Sequence, residues 1–349
     1  MKLSEISPLG WTGISIPPII YGTSFLGNLY KELPWKTKLL IIKEWFASVT
    51  GPVVIDTAGK YGAGLALEVI GKGLRELGIS PDQIIISNKL GWKRVTLTSK
   101  EPTFEPGAWI NLEHDAIQEI SYQGILDCWE QGCKLLGGSY KPALVSVHDP
   151  DEYLAMAINS EDRLKRIEDI KEAYMALEEL KQQGEIKGIG IGSKDWQVIR
   201  ELHIDVKFDW VMLANSLTLY THPKEILHFI QELSEEGIGI INSAIFNAGF
   251  LTGGAYFDYR LLEPLNEADN ERLNWRAKFF RMCDDFKVEP GDACLHFALS
   301  PPEVSAVALN PSKPERIKRN VQVINSSLPY AFWNSLKEQH IIDPEYPYL

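Results

Sequence analysis

The chain has 349 residues, 45% of them hydrophobic and 23% charged, so it can bury a substantial core. Its formal net charge of −12 argues against nucleic acid or an anionic membrane as a partner and suits a protein that binds small molecules. No uninterrupted apolar run approaches the roughly 18 residues of a membrane-spanning helix. The length fits one large α/β domain over residues 1–349.

Eight short apolar runs of strand length follow one another along the chain, at residues 18–22, 53–57, 84–88, 143–148, 187–191, 210–214, 239–243 and 305–309. Segments with helical periodicity lie between them, such as 67–77, 167–183 and 226–236, the last closed by a C-cap at Gly237. This alternation predicts parallel strands joined by right-handed crossovers. Eight such units predict a (β/α)8 TIM barrel, and an open doubly wound sheet is the weaker alternative.

Two stretches are longer than barrel connections require. Residues 92–121 contain prolines and aromatic residues, and the tail at residues 326–349 is rich in Tyr, Phe and Trp. Loops over the carboxyl rim of a barrel usually shape its substrate pocket. The aromatic residues of both stretches fit a pocket and a packing role equally well.

Four polar residues stand at or just past the ends of the predicted strands. Asp56 and Tyr61 lie in Val-Val-Ile-Asp-Thr-Ala-Gly-Lys-Tyr-Gly, Lys89 in Ile-Ser-Asn-Lys-Leu-Gly-Trp, and His148 in Leu-Val-Ser-Val-His-Asp-Pro. Singly, each has an ordinary structural interpretation: a helix N-cap for Asp56, a half-buried aromatic ring for Tyr61, a surface charge for Lys89 and a structural histidine for His148. Because strand ends converge on one rim of a parallel barrel, their joint occurrence favours a catalytic group.

These side chains are suited to moving a proton at a carbonyl oxygen. A free tyrosine has a pKa near 10, and an ammonium within about 4–6 Å favours the phenolate and lowers that value. Asp56 would orient the Lys89 ammonium and keep it charged, and His148 would orient the substrate oxygen. Tyr61 would then act as the base when an alcohol is oxidised and as the acid when a carbonyl is reduced.

The order and context of these residues resemble the aldo-keto reductase superfamily, and the likeness covers nearly the whole chain. It implies a cofactor, NAD(P), lying extended across the rim of the barrel. No Gly-x-Gly-x-x-Gly fingerprint occurs between a strand and a helix, so the resemblance places the phosphates near the last strands instead.

Site residues follow from the resemblance position by position. Gly22, Thr23 and Ser24 match the turn beneath the nicotinamide, and Ser193 matches one hydroxyl of the pair that binds its carboxamide. Further matches are Asn215, where the family commonly has glutamine, and Ser243, which faces the pyrophosphate; Asn242 replaces the usual stacking tyrosine. For the adenosine phosphate the matching residues are Ser312, Lys313, Arg316 and Asn320. Cationic Arg316, Lys313 and Arg319 permit NADP, whereas Asn310 in place of a common lysine weakens that case, so NAD and NADP both stay open.

Within the superfamily, the chain is most similar to sugar-oxidising members acting on D-threo-aldoses or L-fucose. The implied reaction is oxidation of the C1 hydroxyl of a cyclic aldose to the lactone, with Trp92, Lys93 and Asp149 binding sugar hydroxyls. An aldehyde, ketone or pyridoxal oxidoreductase is the alternative of the same fold. A cofactor-sensing regulatory subunit is the alternative from a different class.

The sequence also bears on the cellular setting and the assembly of the protein. The four cysteines form neither a Cys-x-x-Cys pair nor a zinc spacing, so we expect free thiols, no metal and a reducing compartment. Residues 1–8 show no signal-peptide pattern, which predicts a cytoplasmic protein. We expect a monomer or small homo-oligomer.

Overall fold

The structure, a computed structural model, describes residues 5–49, 51–258 and 260–349. Residues 1–4, part of the segment inspected for a signal peptide, lie outside these ranges. Eight parallel strands close into a barrel in chain order: β1 Ile19–Gly22, β2 Val53–Ala58, β3 Ile84–Leu90, β4 Leu144–His148, β5 Gly188–Ser193, β6 Trp210–Ala214, β7 Gly239–Ser243 and β8 Val304–Leu309. Val307 of β8 pairs with Ile19 of β1, which closes the ring. The TIM barrel is confirmed, and the open sheet is wrong.

Helices surround the barrel and connect its strands. In the described residues they are α1 Trp35–Ser48, α2 Leu65–Glu76, α3 Tyr122–Leu135, α4 Pro150–Ala155, α5 Ser160–Gln182, α6 Trp196–Leu202, α7 Lys224–Glu235, α8 Glu267–Phe286, α9 Pro290–Ala298, α10 Pro314–Ile324 and α11 Tyr330–Glu338. The three periodic segments fall on α2, α5 and α7. Gly237 follows α7 with a φ of 78°, and its N–H donates to Ser234 O over 2.9 Å, as the predicted C-cap requires.

Among the described residues, three antiparallel strand pairs lie outside the barrel. Strands Trp92–Thr96 and His114–Gln118 pair within the predicted long loop, and Tyr256–Phe257 pairs with Arg260–Leu261 after β7. The hairpin of Ser7–Pro8 and Ser15–Ile16 carries the buried residues Leu9, Ile14 and Ile16. These pack with the side chains inside the barrel and close its amino end.

Side chains alternate between the lumen and the helices along each strand. β5 supplies glycine at each described lumen position, and an added Cβ at Gly190 would lie 2.2 Å from Cε2 of Trp210. The missing side chain therefore makes room for the fully buried indole of Trp210, which fills the lumen with Met212 and Ile241.

The aromatic tail packs instead of lining a pocket. Phe332, Trp333 and Tyr346 are buried in the outer core with residues of α8 and α9. The pocket role that the sequence left open for this tail is therefore wrong, because its apolar side chains cover helices. No helix within the described ranges has the length and apolar character that a membrane crossing requires. The four cysteines are free thiols, as expected.

Candidate active site

The lumen-facing residues at the carboxyl ends of the strands meet at one cavity of about 400 Å³. Because side chains alternate with a period of two, Val54 and Asp56 share the lumen face of β2, while Ser87 and Lys89 share that of β3. All eight strands contribute to the cavity wall, through Gly22, Asp56, Lys89, His148, Gly192, Ala214, Ser243 and Ala308. The deepest polar layer of the barrel is therefore the floor of this cavity.

The structure brings the four predicted catalytic residues together. Nζ of Lys89 contacts a carboxylate oxygen of Asp56 and donates to the Tyr61 hydroxyl over 3.3 Å. Asp56 also accepts a hydrogen bond of 3.3 Å from Ser87. The rings of Tyr61 and His148 lie 5.7 Å apart in an edge-on arrangement. A phenol, an ammonium and an imidazole thus face the same space.

A tight turn after β2 fixes Tyr61. Gly62 has a φ of 63°, and a Cβ there would lie 2.3 Å from Gly27 O, so the turn can approach the segment Ser24–Gly27 only without side chains. Nε of Arg94 donates to Ala63 O over 2.6 Å, and its guanidinium forks onto Glu68 over 2.8 and 2.9 Å. Two neighbouring elements therefore restrain the turn that carries Tyr61.

Burial dominates the electrostatics of the site. Burial raises the pKa of Tyr61 well above its ordinary value, and the negative charges of Asp56 and Asp149 add to the rise. This net direction is opposite to the lowering expected from Lys89 alone. Burial likewise raises the pKa of Asp56 against the opposing effect of Lys89. Burial, Lys60 and Lys89 hold the pKa of His148 well below its ordinary value. At neutral pH Tyr61 is therefore a neutral phenol and His148 a neutral imidazole.

A second charged cluster, which the sequence did not predict, borders the same space. Nζ of the buried Lys60 lies 2.7 Å from Glu105, 2.9 Å from Glu152 and 3.2 Å from Asp149. Burial disfavours the ammonium, but these three carboxylates outweigh it and raise the pKa of Lys60. One sequence feature indicated this cluster: Lys60 directly precedes Tyr61, just past the end of a buried strand, where a lysine is more easily explained by a partner than by exposure to solvent.

Aromatic side chains form the upper wall of the cavity. The Trp109 ring lies 6.0 Å from that of Tyr61, and Trp109 Nε1 donates to Glu105 over 2.6 Å. The Tyr30 and Tyr256 rings stack at 5.1 Å between two loops of the rim. Residues from the predicted long loop thus serve both roles, because Phe104 packs on Trp92 while Trp109 lines the cavity.

Six of the predicted cofactor-binding residues line this cavity: Gly22, Thr23, Ser24, Ser193, Asn215 and Ser243. Asn215 donates through Nδ2 to Asp258 over 3.0 Å, while its buried Oδ1 has no partner among the described residues. An unpaired buried acceptor is costly, and a carboxamide N–H would satisfy it. The residues therefore fit a nicotinamide. Asn242, which stands in place of a stacking tyrosine, faces outward and donates to Leu217 O and Ala298 O.

The predicted adenosine-phosphate residues lie outside this cavity. Lys313 caps α10 and Arg316 follows within its first turn, both exposed, with Ser312 and Asn320 half-buried beside them. Arg319 forms an ion pair with Asp292 of α9. Of the three cations that the resemblance assigns to the phosphate, Lys313 and Arg316 are therefore more accessible than Arg319.

Two of the three predicted sugar-binding residues lie away from the cavity wall. Lys93 pairs with Asp127 over 2.7 Å and Glu119 over 3.4 Å, because its hairpin strand turns it toward α3. Trp92 lies behind Lys60, whose Nζ is 5.0 Å from the indole centroid. The assignments of Lys93 and Trp92 to the substrate are corrected accordingly. Asp149 does line the cavity.

Comparison with known proteins agrees with this architecture. Residues 18–341 match the Aldo/keto reductase family. The chain is 27% identical to pyridoxal 4-dehydrogenase of Microbacterium luteolum, over 98% of this chain and 99% of that protein. It is 24% identical to D-threo-aldose 1-dehydrogenase of a Pseudomonas species, over 95% and 96% of the two chains. A glycerol dehydrogenase structure from Gluconobacter oxydans superposes with a TM-score of 0.70 at 16% identity, covering 98% and 96%. The chain therefore belongs to the aldo/keto reductase family and is an oxidoreductase.

Proposed function

We propose that this enzyme uses NAD(P) to oxidise the C1 hydroxyl of a cyclic aldose, of the L-fucose or D-arabinose type, to its lactone. The observation that carries the proposal is the contact of 3.3 Å between Nζ of Lys89 and the Tyr61 hydroxyl at the floor of the cavity. It puts a proton-transfer group and a cation beside a space that residues suited to a nicotinamide also line. A bound nicotinamide supplies the hydride acceptor at its C4.

The remaining steps belong to the side chains. Tyr61 as phenolate takes the proton of the C1 hydroxyl, and the Lys89 ammonium stabilises that phenolate. Neutral His148 donates from a ring nitrogen to the substrate oxygen and fixes its direction. Holding the reactants in a productive orientation lowers the activation free energy by about 7–11 kcal/mol in well-oriented reactions. This is more than proton transfer alone contributes.

Two features support a cyclic polyol as the substrate. Asp149 and Lys194 line the cavity and offer an acceptor and a donor for hydroxyl groups, and Trp109 presents an aromatic face beside Tyr61. One relative is named D-threo-aldose 1-dehydrogenase and another, from Arabidopsis thaliana, L-galactose dehydrogenase, the latter 22% identical over 93% of this chain. Both names describe oxidation of a sugar.

Pyridoxal is the second candidate, favoured by the aromatic wall of Trp109, Tyr30 and Phe25 and by the relative named pyridoxal 4-dehydrogenase. Pyridoxal carries an aldehyde beside a hydroxymethyl group and closes to a cyclic hemiacetal. Its oxidation gives a lactone, so the same proton transfer at Tyr61 serves both substrates. The two candidates differ in the rest of the molecule but share the reacting group, a hemiacetal carbon that carries a hydroxyl.

The deciding experiment is a substrate screen with the purified chain. Aldoses, pyridoxal and simple alcohols are each offered with NAD⁺ and with NADP⁺, and reduced nicotinamide is followed by its absorbance. We expect turnover with an aldose bearing a free C1 hydroxyl, and none with its C1-methyl glycoside, which cannot form a lactone. Turnover with the glycoside, or with open-chain alcohols alone, contradicts the proposal.

A further inference from the structure

Lys60 is the most heavily paired buried cation of the described site. It contacts Glu105 of the rim loop, Asp149 after β4 and Glu152 in α4. Its side chain is 4% exposed, whereas those of Asp149, Glu105 and Glu152 are 12%, 31% and 33% exposed, so the ammonium itself is shielded from water. The turn after β2, the rim loop and the start of α4 therefore meet at one ammonium, which directly precedes Tyr61 in the chain.

The Asp149 carboxylate connects this ammonium to His148. Its Oδ2 lies 3.2 Å from Nζ of Lys60 and 3.4 Å from Nε2 of His148. Nδ1 of His148 is buried with no partner among the described residues, so Nε2 is the ring nitrogen with an acceptor. Asp149 itself has a φ of 49°, a left-handed conformation that costs energy for this residue and persists where surrounding contacts hold it.

We propose that Lys60 is a positioning residue, whose ammonium holds and compensates the Asp149 carboxylate beside Nε2 of His148 and so keeps this imidazole a neutral Nε2–H donor for the substrate oxygen. The role of His148 rests on the proposed function. The contact chain Lys60–Asp149–His148 stands on the geometry alone.

The reason is electrostatic. A carboxylate beside an imidazole favours the imidazolium, and an imidazolium would bind Asp149 tightly and turn its N–H away from the substrate. An ammonium on the same carboxylate oxygen cancels that preference. The pKa of His148 is lowered by burial, Lys60 and Lys89, raised by Glu152 and lowered by Lys194. Among the described residues, the charged and titratable groups that line the cavity with this imidazole are Asp56, Lys60, Tyr61, Lys89, Glu105, Asp149 and Lys194, and Glu152 acts on it from α4.

The direct test measures the protonation of His148. The protein is labelled with ¹⁵N-histidine, and the His148 signals are assigned by their loss in His148→Gln. We expect wild-type His148 to stay neutral and protonated at Nε2 from neutral pH down to acid unfolding. In Lys60→Met, loss of the cation should make a His148 titration observable, with a midpoint at least about one pH unit above the acid unfolding of the variant. Lys60→Arg keeps the charge and should behave as wild type.

Activity gives the second readout. In the direction of carbonyl reduction, where protonated Tyr61 gives the wild type no acidic limb, Lys60→Met should show one in its kcat profile, with KM changed by less than kcat. Lys60→Arg should restore the wild-type profile. The matched control is Lys141→Met, which removes an exposed lysine paired with Glu185 over 2.6 Å, and it should alter neither readout. If Lys60→Met does not fold, Lys60→Gln takes its place in both measurements.

The outcomes separate two failures. An unchanged His148 titration in folded Lys60→Met overturns the inference, and so does a new acidic limb that Lys60→Arg fails to remove. Absence of wild-type turnover with every substrate offered overturns the proposed function. The imidazole titration still decides the role of Lys60 in that case, because it needs neither cofactor nor substrate.

Discussion

Nζ of Lys89 donates to the Tyr61 hydroxyl over 3.3 Å, although Lys89 lies near the carboxyl end of β3 and Tyr61 in the turn after β2. The same ammonium contacts Asp56, which is the lumen residue of the neighbouring strand. A phenol and a carboxylate thus share one cation in a buried site. The pKa of the phenol therefore depends on how strongly the Lys89 ammonium interacts with Tyr61 compared with Asp56.

Tyr61→Phe should abolish hydride transfer while leaving cofactor affinity nearly unchanged, since only the proton-transfer hydroxyl is lost. General acid–base groups supply roughly 10²–10⁴-fold in rate. Single-turnover kinetics and a cofactor titration by fluorescence measure the two effects separately. A variant that keeps more than about a tenth of wild-type turnover would show that another group moves the proton.

Lys89→Met and Asp56→Asn should shift the kinetic pKa of Tyr61 in opposite directions. Lys89→Met removes the cation beside the phenol and should raise this pKa and reduce turnover. Asp56→Asn removes a negative charge that raises it and should lower it. The pH dependence of kcat for both variants measures the shifts. If both raise the kinetic pKa, Asp56 acts mainly by holding Lys89 in place.

Oxidation and reduction should differ in their dependence on pH. The pKa of Tyr61 lies well above its ordinary value, so the phenol is protonated at neutral pH. Reduction uses this protonated form and should stay constant through neutral pH, falling only in strong alkali. Oxidation uses the phenolate and should rise with pH. Profiles of kcat/KM in both directions check this, and an oxidation plateau reached below pH of about 8 contradicts it.

Arg316→Ala should weaken NADP⁺ far more than NAD⁺. A guanidinium can grip a 2′-phosphate bidentately, and a charge-assisted contact contributes about 1.5–3 kcal/mol. Dissociation constants for both cofactors give the difference. Arg319→Ala is the matched control, because Arg319 is already paired with Asp292. Equal losses in Arg316→Ala would mean that Arg316 only packs on the adenine, and no loss for either cofactor would place the phosphate site elsewhere.

Gly190→Ala should destabilise the fold by about 1–3 kcal/mol, the usual cost of overpacking a core. Its new Cβ would lie 2.2 Å from Trp210 Cε2 in the lumen. Urea unfolding measures the loss. Gly291→Ala in α9 is the control, since its Cβ would meet only Thr252 Cγ2 at 3.6 Å, and its free energy of unfolding should be unchanged or slightly higher. Equal stabilities would mean that Trp210 can move aside.

The barrel was predictable because its strands are buried on both faces. Each therefore reads as an apolar run, and none of the predicted strand ends differs by more than two residues from the observed one. Asp56, Lys89 and His148 interrupt such runs at their carboxyl ends. A polar residue in that position has few structural uses, so local sequence was enough to propose them.

Other parts of the site depend on contacts between distant segments. Lys93 looked suitable for binding sugar hydroxyls, but Asp127 of α3 captures it, and nothing near Lys93 in the chain reveals that partner. Lys60 was overlooked for the same reason. Its three carboxylates come from residues 45 to 92 positions further along, namely Glu105, Asp149 and Glu152. For both lysines, the three-dimensional path of the rim segments determines the partner.

The hairpin that carries Leu9, Ile14 and Ile16 seals the amino end of the barrel, so among the described residues the catalytic cavity is reached from the carboxyl rim. Reactants then pass one mouth in sequence. A molecule seated against the floor formed by Lys89, Ser243 and Gly22 must arrive before anything that rests above it, and must wait for that upper molecule to leave. The sealed end thus makes depth in the barrel set the order in which molecules bind and leave.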